Sequence, residues 1–290
     1  MKGSSGPFQV PRRRVDNSLM GPARIDVLGV GISAINMEMA IDELARWVDE
    51  GEQHYVCVTG VHGVMESQSD TELLRIHNRS GLTTPDGMPM VWAGKKAGAD
   101  HMSRVYGPDL MLEICRRSPS TGWSHYFYGG KEGVPELLAG KLQERFPGLK
   151  VVGTHSPPFR PQTDEESDQI AATINAARPD FLWVGLSTPK QERWMDANLG
   201  RLDAPAILGV GAAFDIHAGL LPQAPEWMQR RGLEWLYRLL KEPRRLWKRY
   251  LGNNPRFVFR VLRRPPRLVD SDQLDRGARP PDTTTESELH

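Results

Sequence analysis

Residues 181–210 read FLWVGLSTPKQERWMDANLGRLDAPAILGV and contain two apolar runs, at 181–185 and 206–210. Short runs that are continuously apolar are typical of strands covered on both faces. Between them, residues 189–198 have the length and the three-to-four spacing of apolar side chains expected of an amphipathic helix. A strand, a helix and a second strand in this order predict a βαβ unit, which builds a parallel sheet.

The same alternation extends along the chain from residue 25 to about residue 219. It predicts an α/β fold with a mostly parallel sheet and helices on both faces. The other predicted strands are 25–30, 54–59, 125–128 and 150–152, and the other predicted helices are 37–49, 63–78, 108–117, 134–146 and 165–177.

The composition is that of a globular protein, with 39% hydrophobic and 25% charged residues in a chain of 290. Because 37 Lys and Arg nearly balance 36 Asp and Glu, no overall field favours nucleic acid as a partner. The two cysteines, Cys57 and Cys115, are too few for a disulfide framework and lack zinc-site spacing, so we expect a reducing compartment and no metal site. No apolar run approaches the roughly 20 residues that span a bilayer.

Positive charge is concentrated near the C-terminus, where residues 230–267 hold 13 Lys or Arg and two Glu, a local charge of +11. Aromatic and leucine residues alternate with these cations, which predicts two or three short amphipathic helices. We therefore expect a disordered tail at 1–23, an α/β domain at 24–225, a basic amphipathic appendage at 226–267 and a disordered polar tail at 268–290.

Glycine-rich segments follow several predicted strands, where a doubly wound sheet binds its ligands. In YGGK, Gly129 and Gly130 would let backbone amides approach an anion such as a diphosphate, which Lys131 would also favour. The alternative is a plain turn between strand and helix. In GVGAAFD, Gly209 and Gly211 match two glycines of a dinucleotide fingerprint, but a phenylalanine replaces the third, so a nicotinamide site is not expected.

Three carboxylate or hydroxyl groups also fall at such positions. Asp215, at the end of GVGAAFD, either binds ribose hydroxyls or a uracil edge, or caps the following turn. Asp86 lies in a Pro-Asp-Gly turn that needs no chemical role. If its loop and that of Thr59 share one edge of the sheet, Asp86 could instead act as a general base, with Arg104 and Gln191 adding polar contacts.

Taken together, six motifs occur in the order found in one family, and the sequence resembles the WecG/TagA/CpsF glycosyltransferases, glycosyltransferase family 26. The resemblance covers about residues 27–250. The motifs are VTG with Thr59, TPDG with Asp86, RVYGPD with Arg104, YGGK with Lys131, GLSTPKQE with Gln191 and GVGAAFD with Asp215.

The resemblance implies a Rossmann-like fold and an inverting, metal-independent transfer of a sugar from a UDP-sugar to a polyprenyl-diphosphate-linked saccharide. N-acetylmannosamine and glucose are among the family's donor sugars. Such an enzyme would serve bacterial cell-surface or exopolysaccharide synthesis, needs no cofactor, and would lie in the cytoplasm, peripherally on the inner face of the plasma membrane. The resemblance leaves self-association into a homo-oligomer open.

Residue roles are also implied by the resemblance. Asp86 is the expected base, Thr59 lies beside it in the sugar pocket, Arg104 and Gln191 contact donor or acceptor, and Asp215 lies near the nucleoside. From the appendage, the matching cations are Arg238, Arg245 and Lys248; without a metal, such groups would stabilise the departing diphosphate. The other basic residues would contact anionic lipid headgroups. One departure is Val61, where family members often have Asn.

Two other functions are compatible with parts of the sequence. The same sheet could carry a nucleotide-dependent oxidoreductase or epimerase, although Phe214 in the glycine motif argues against it. The basic aromatic segment taken alone would also suit a noncatalytic scaffold at a membrane surface.

Overall fold

The computed structural model describes residues 21–269, which form nine strands and twelve helices. The strands are β1 (Arg24–Val27), β2 (Val30–Ser33), β3 (His54–Thr59), β4 (Leu82–Pro85), β5 (Ser124–Gly129), β6 (Lys150–His155), β7 (Phe181–Gly185), β8 (Ala206–Gly209) and β9 (Arg267–Val269). The helices are α1 (Met37–Glu50), α2 (Val61–Glu66), α3 (Thr71–Arg79), α4 (Met88–Lys96), α5 (Gly107–Thr121), α6 (Val134–Arg145), α7 (Asp164–Ala177), α8 (Lys190–Asn198), α9 (Ala213–His217), α10 (Glu226–Arg230), α11 (Glu234–Lys241) and α12 (Pro243–Arg263).

The larger sheet has six parallel strands in the order β4-β3-β8-β7-β5-β6. Alternate residues of each strand point to opposite faces and join two separate apolar cores. On β7, for example, Trp183 packs in one core and Leu182 in the other, and both are fully buried. The predicted α/β, Rossmann-like fold with helices on both faces is therefore confirmed.

The segment predicted as one strand at 25–30 is instead a hairpin in a second sheet, so that prediction is wrong. The chain reverses at Leu28 and Gly29, which both have positive φ, and the Gly29 amide donates to Asp26 Oδ1 at 2.6 Å. β1 then pairs antiparallel with β2 on one side and with β9 on the other. A two-residue turn of this kind suits a twisted hairpin, and an apolar run by itself does not reveal it.

Two further elements differ from the sequence prediction. Leu82–Pro85, expected to be a loop, is strand β4 at the edge of the six-stranded sheet. The helix predicted at 63–78 is divided into α2 and α3, because Asp70 begins a new helix by accepting a hydrogen bond from the Leu73 amide at 2.9 Å.

The basic appendage is attached to the rest of the chain at several places. Phe257 of α12 packs into the apolar core between the small sheet and helices α2 and α4. Arg264 pairs with the buried Asp26 of β1 at 2.8 Å. Regular structure continues through Leu268 and Val269 of β9, two residues past the expected boundary. The rest of the two expected tails, residues 1–20 and 270–290, lies outside the described residues.

No helix between residues 21 and 269 is both long and apolar enough to cross a membrane.

Candidate active site

A cleft of about 1650 Å³ opens at the carboxyl ends of β3, β4, β5, β7 and β8, between the sheet and the appendage. Open α/β sheets bind ligands at this edge because the strand-to-helix loops meet there. The structure brings most of the predicted site residues together here. Those lining the cleft are Asp86, Arg104, Gly130, Lys131, Gln191, Gly209, Gly211, Asp215 and Arg238.

Asp86 is the first residue after β4, and its amide donates to the Thr59 carbonyl at 3.0 Å. The loops that follow Thr59 and Pro85 therefore share one edge of the sheet. This is the condition under which Asp86 could act as a general base. A Cβ atom on Gly60 would lie 2.7 Å from the Asp86 carbonyl oxygen, so glycine is needed for this close approach. Thr59 itself is buried, and its hydroxyl donates to the Cys57 carbonyl at 3.3 Å. Its backbone thus supports Asp86, and its side chain does not line the cleft.

The glycine turn after β5 differs in detail from the predicted anion cradle. Gly129, at φ +128°, does not line the cleft, and a Cβ there would lie 2.7 Å from the Gly185 backbone. The Gly130 amide donates to the Gly185 carbonyl at 2.9 Å and is therefore not available to an anion. Gly130 and Lys131 do face the cleft, so Lys131 is the group of this turn that can bind an anion.

An aromatic wall that the sequence analysis missed lies beside this turn. Tyr128 is stacked between Trp194 and His155, with ring centroids 4.3 and 5.7 Å away. Burial raises the pKa of the Tyr128 phenol, and Gln162 donates to its oxygen at 3.1 Å. Tyr128, Trp194 and Gln162 all line the cleft. The aromatic residues were visible in the sequence, but their stacking depends on contacts between β5, β6 and α8.

Gln191 presents an unsatisfied acceptor to the cleft. Its Nε2 donates to the Gly209 carbonyl and to Glu192 Oε1, both at 3.1 Å. Its Oε1 is buried and makes no hydrogen bond within residues 21–269. A buried acceptor of this kind favours a ligand that brings an N–H or O–H group. Gly211 lies directly beside this oxygen, since a Cβ there would be 3.4 Å from it.

Asp215 lies on the short helix α9 with its side chain in the cleft wall. The N-cap residue of α9 is Ala212, so Asp215 lies inside the helix and does not cap its start. Its main-chain oxygen instead accepts from the amides of Leu220 and Leu221, at 2.8 and 3.0 Å. The carboxylate is therefore placed to accept hydrogen bonds from a ligand.

Arg238 of α11 brings a cation into the cleft from the appendage. Its Nε is buried and has no hydrogen-bond partner in the described part of the chain. Burial opposes its charged form, but Tyr250, Tyr106, Glu234 and Asp86 more than offset this and raise its pKa. Arg245 and Lys248, the other predicted cations, belong to α12, but their side chains lie outside what the structure describes.

Arg104 lies on the loop between α4 and α5, and its guanidinium is hydrogen-bonded to other side chains of the protein. Nη1 donates to Glu234 at 2.8 Å, and Nη2 donates to Asp109 at 2.9 Å and to Gln229 at 2.5 Å. The guanidinium carbon also lies 4.5 Å from the centre of the Tyr106 ring. Burial, with Glu234 and Asp86 nearby, raises the pKa of Tyr106 well above its usual value.

Val61 and His62 line the cleft on the side of α12. His62 Nδ1 lies 3.4 Å from the side-chain nitrogen of Asn253 and 3.5 Å from Glu66. The α12 helix therefore brings an amide side chain to the place where this chain departs from the family motif.

Asp86 and Arg238 line the same cleft, and the Asp86 carboxylate is among the groups that raise the pKa of Arg238. A carboxylate can accept a proton from an attacking hydroxyl, and a cation can stabilise an anionic leaving group. Among the residues described, no three His, Cys, Asp or Glu side chains come together as a metal ion would need. The fold and cleft are those of an α/β group-transfer enzyme.

Comparison with known proteins gives a more specific assignment. The chain belongs to the glycosyl transferase WecG/TagA/CpsF family, whose family model matches residues 25–270. It is therefore a glycosyltransferase. This assignment favours the glycosyltransferase over the oxidoreductase, epimerase and scaffold alternatives.

Two curated relatives are similar to most of the chain. An N-acetylglucosaminyldiphosphoundecaprenol N-acetyl-beta-D-mannosaminyltransferase of Bacillus subtilis (strain 168) is 27% identical over 237 residues, which cover 79% of this chain and 90% of the relative. A protein of the same name from Staphylococcus aureus (strain MW2) is 23% identical over 245 residues, 83% of this chain and 93% of the relative.

Proposed function

We propose that this enzyme transfers N-acetylmannosamine from UDP-N-acetylmannosamine to N-acetylglucosamine carried on a polyprenyl diphosphate. The names of both relatives support the sugar and the acceptor. The observation that carries the proposal is that a carboxylate, Asp86, and a cation from the appendage, Arg238, line one cleft. We further propose that the transfer inverts the anomeric configuration and needs no metal, and that it serves bacterial cell-surface polysaccharide synthesis.

On the acceptor side, Asp86 takes the proton from the attacking hydroxyl of the acceptor sugar. The hydroxyl oxygen forms a bond to the anomeric carbon as the bond from that carbon to the UDP oxygen breaks. The electron pair of the broken bond leaves with UDP. Because attack and departure occur on opposite faces of the sugar in a single displacement, the product has inverted configuration.

On the donor side, negative charge grows on the diphosphate as it leaves. Arg238 lines the cleft with a buried Nε, and Lys131 is a second cation in the cleft lining. Fixed cations in a site that excludes water stabilise such charge by on the order of several kcal/mol. Arg245 and Lys248 are proposed to add to this from α12.

Gln191 and Asp215 are proposed to bind polar groups of the donor. The buried Gln191 Oε1 needs a donor group, and a hydroxyl or N–H of the sugar or base would supply it. Asp215 would accept hydrogen bonds from ribose hydroxyls. Tyr128 and Trp194 form the adjoining apolar wall.

The appendage is proposed to rest on the cytoplasmic face of the membrane, where a polyprenyl-linked acceptor is held. At 3.6 residues per turn, four exposed apolar residues of α12 fall within about 60° of one another. An apolar stripe beside basic residues suits an anionic membrane surface, each basic group contributing about 1 kcal/mol. The stripe consists of Trp247, Leu251, Val258 and Leu262.

The test is a transfer assay with the purified full-length chain and a short-chain polyprenyl-diphosphate N-acetylglucosamine in detergent. UDP-N-acetylmannosamine, UDP-N-acetylglucosamine and UDP-glucose would be compared as donors, each with and without EDTA. We expect transfer from UDP-N-acetylmannosamine at an unchanged rate in EDTA, and NMR of the product should reveal an inverted anomeric centre. Transfer from another donor alone would overturn the assignment of the sugar, and retention of configuration would overturn the mechanism.

A further inference from the structure

We infer that Arg104 is a positioning residue that clamps the start of α11 to the cleft wall and thereby holds Arg238 in the cleft that Asp86 also lines. The inference rests on the proposed function for the roles of Asp86 and Arg238. The clamp itself rests on contacts between the α4–α5 loop and the appendage.

The guanidinium of Arg104 is held by other side chains of the protein. Its hydrogen bonds reach Glu234 at the start of α11 and Gln229 on α10, so one guanidinium binds two helices of the appendage. The Arg104 and Glu234 side chains are only 16% and 17% exposed. A shielded charge pair of this kind is weakly screened by solvent, unlike the exposed pair between Arg230 and Glu226.

Arg104 is also linked, through the backbone, to the proposed base Asp86. The Val105 amide donates to the Pro85 carbonyl at 3.0 Å, directly before Asp86. Arg104 and Asp86 therefore belong to one backbone frame at the end of β4. Tyr106, the other neighbour of Val105, stacks on Arg104, and the Glu234 carboxylate is close enough to raise its pKa, so both side chains lie near the same carboxylate.

Glu234 is linked to Arg238 through helix α11. Both belong to α11 and are four residues apart, which places their side chains on the same helix face, one turn apart. Fixing Glu234 therefore fixes the position and the rotation of the turn that carries Arg238. Main-chain bonds from Gly232 to Gln229 and from Leu233 to Met228, at 3.0 and 2.8 Å, make α10 and the start of α11 move together.

The clamp also has an electrostatic role. Glu234 acts on Arg238 and would be its natural i,i+4 partner. Because Arg104 already occupies Glu234, Arg238 can direct its charge into the cleft, where its Nε makes no protein hydrogen bond among residues 21–269. Removing the Arg104 charge should draw Arg238 towards Glu234 and away from the leaving diphosphate.

The experiment compares R104Q, R104K, E234Q and the double variant R104Q/E234Q, all in the full-length chain. The control is R230Q, which breaks only an exposed ion pair within α10, between Arg230 and Glu226. Transfer from UDP-N-acetylmannosamine to the short-chain acceptor gives kcat and the KM for the donor. Hydrogen exchange of the α11 amides, measured without substrate, reports the clamp independently of activity.

R104Q and E234Q should each lower kcat by roughly 10²-fold, since small displacements of a reacting group have effects of that size. The donor KM should change by less than about 3-fold. The double variant should be no worse than the poorer single variant, because both remove one interaction. R104K should retain part of kcat, because a lysine keeps the positive charge but lacks the several N–H donors of the planar guanidinium. The α11 amides should exchange faster in R104Q and E234Q, and R230Q should match the unaltered chain throughout.

Two outcomes would overturn the clamp and assign Arg104 to direct substrate contact. One is a normal kcat in E234Q together with a strongly reduced kcat in R104Q, and the other is additive losses of kcat in the double variant. Unchanged exchange of α11 in both single variants would also overturn it. If the unaltered chain transfers no sugar from UDP-N-acetylmannosamine, the proposed function fails, but faster α11 exchange in R104Q and E234Q with no change in R230Q would still support the clamp.

Discussion

The amide of Asp86 lies 3.0 Å from the carbonyl oxygen of Thr59, which ties the ends of two neighbouring parallel strands together. Thr59 is paired with Pro85 in the β-ladder, so Asp86 is the first residue beyond it. Backbone geometry thereby holds Asp86 in the cleft lining, while the hydroxyl of Thr59 stays inside the sheet. A carboxylate anchored in this way can act as a base without a mobile loop.

Replacing Asp86 by Asn should therefore remove the proton acceptor and leave the backbone frame intact. We expect kcat to fall by roughly 10²-fold or more, with donor affinity nearly unchanged. Steady-state transfer kinetics and UDP titration measure the two quantities. Asp100→Asn, at an exposed loop position outside the cleft lining, is the matched control and should retain full activity. A near-normal kcat in Asp86→Asn would remove Asp86 as the base.

Gly129→Ala should destabilise the fold, because the new methyl group would meet the Gly185 backbone at 2.7 Å and the residue is held at φ +128°. We expect the free energy of unfolding to fall by about 2–3 kcal/mol in urea titration. The comparison is Gly140→Ala, an exposed position of α6 with open space around a Cβ, where the helix should gain up to about 1 kcal/mol. Equal stability of the two variants would mean that the β5 and β7 backbones are not in close contact.

The free energy of unfolding should fall in acid because of His125. This residue is fully buried, and its burial lowers the pKa of the imidazole to about 3. The indole N–H of Trp183 donates to His125 Nδ1 at 3.1 Å, so a second proton on the ring would face a donor. The unfolded chain binds this proton near pH 6.5 and the folded chain only near pH 3, so stability is lost as pH falls between these values.

The measurement is the free energy of unfolding between pH 7 and pH 4 for the unaltered chain and for His125→Asn. The variant should have a slope that is shallower by about 1.4 kcal/mol per pH unit in the middle of this range. His77, whose pKa burial lowers to about 4, contributes with the same sign in both proteins. Parallel curves would contradict the assignment of the proton to His125.

The exposed stripe of α12 should mediate vesicle binding. A Trp247→Ser, Leu251→Ser double variant should bind vesicles containing anionic lipid several-fold more weakly, because each lost apolar side chain forfeits about 1.5–3 kcal/mol of burial at most. Flotation at low and high salt separates this from the electrostatic part. Leu137→Ser, at an exposed position on α6, is the control and should bind as the unaltered chain does. Equal binding of both variants would place the membrane contact elsewhere.

Much of the fold could be predicted from local patterns. β3 and β7 match their predicted bounds, because continuous apolar runs between turns specify buried parallel strands. β4 was missed because its four residues include two threonines and a proline, and edge strands carry a weak signal. The β1–β2 hairpin was missed because its turn is formed by Leu28 and Gly29, and the apolar Leu28 continues the pattern of a single strand.

The candidate site was partly predictable for a similar reason. Asp86, Lys131, Gln191 and Asp215 follow strands, and the carboxyl ends of parallel strands meet at one edge. Thr59 follows the same rule, yet its side chain turns into the sheet, because strand residues alternate between faces and the cleft wall is formed by the loop beyond it.

The sequence alone specified most of the strands of the parallel sheet, the glycines where neighbouring strands approach closely and the basic character of the C-terminal segment, because each depends on neighbouring residues. Contacts between distant parts of the chain were decided by the tertiary structure. Arg104 and Glu234 are 130 positions apart, and no local pattern pairs them. Their pairing, and the presence of Arg238 and Asp86 in one cleft, depend on how the appendage packs on the sheet, since charge pairs form only where packing brings two groups within a few ångströms.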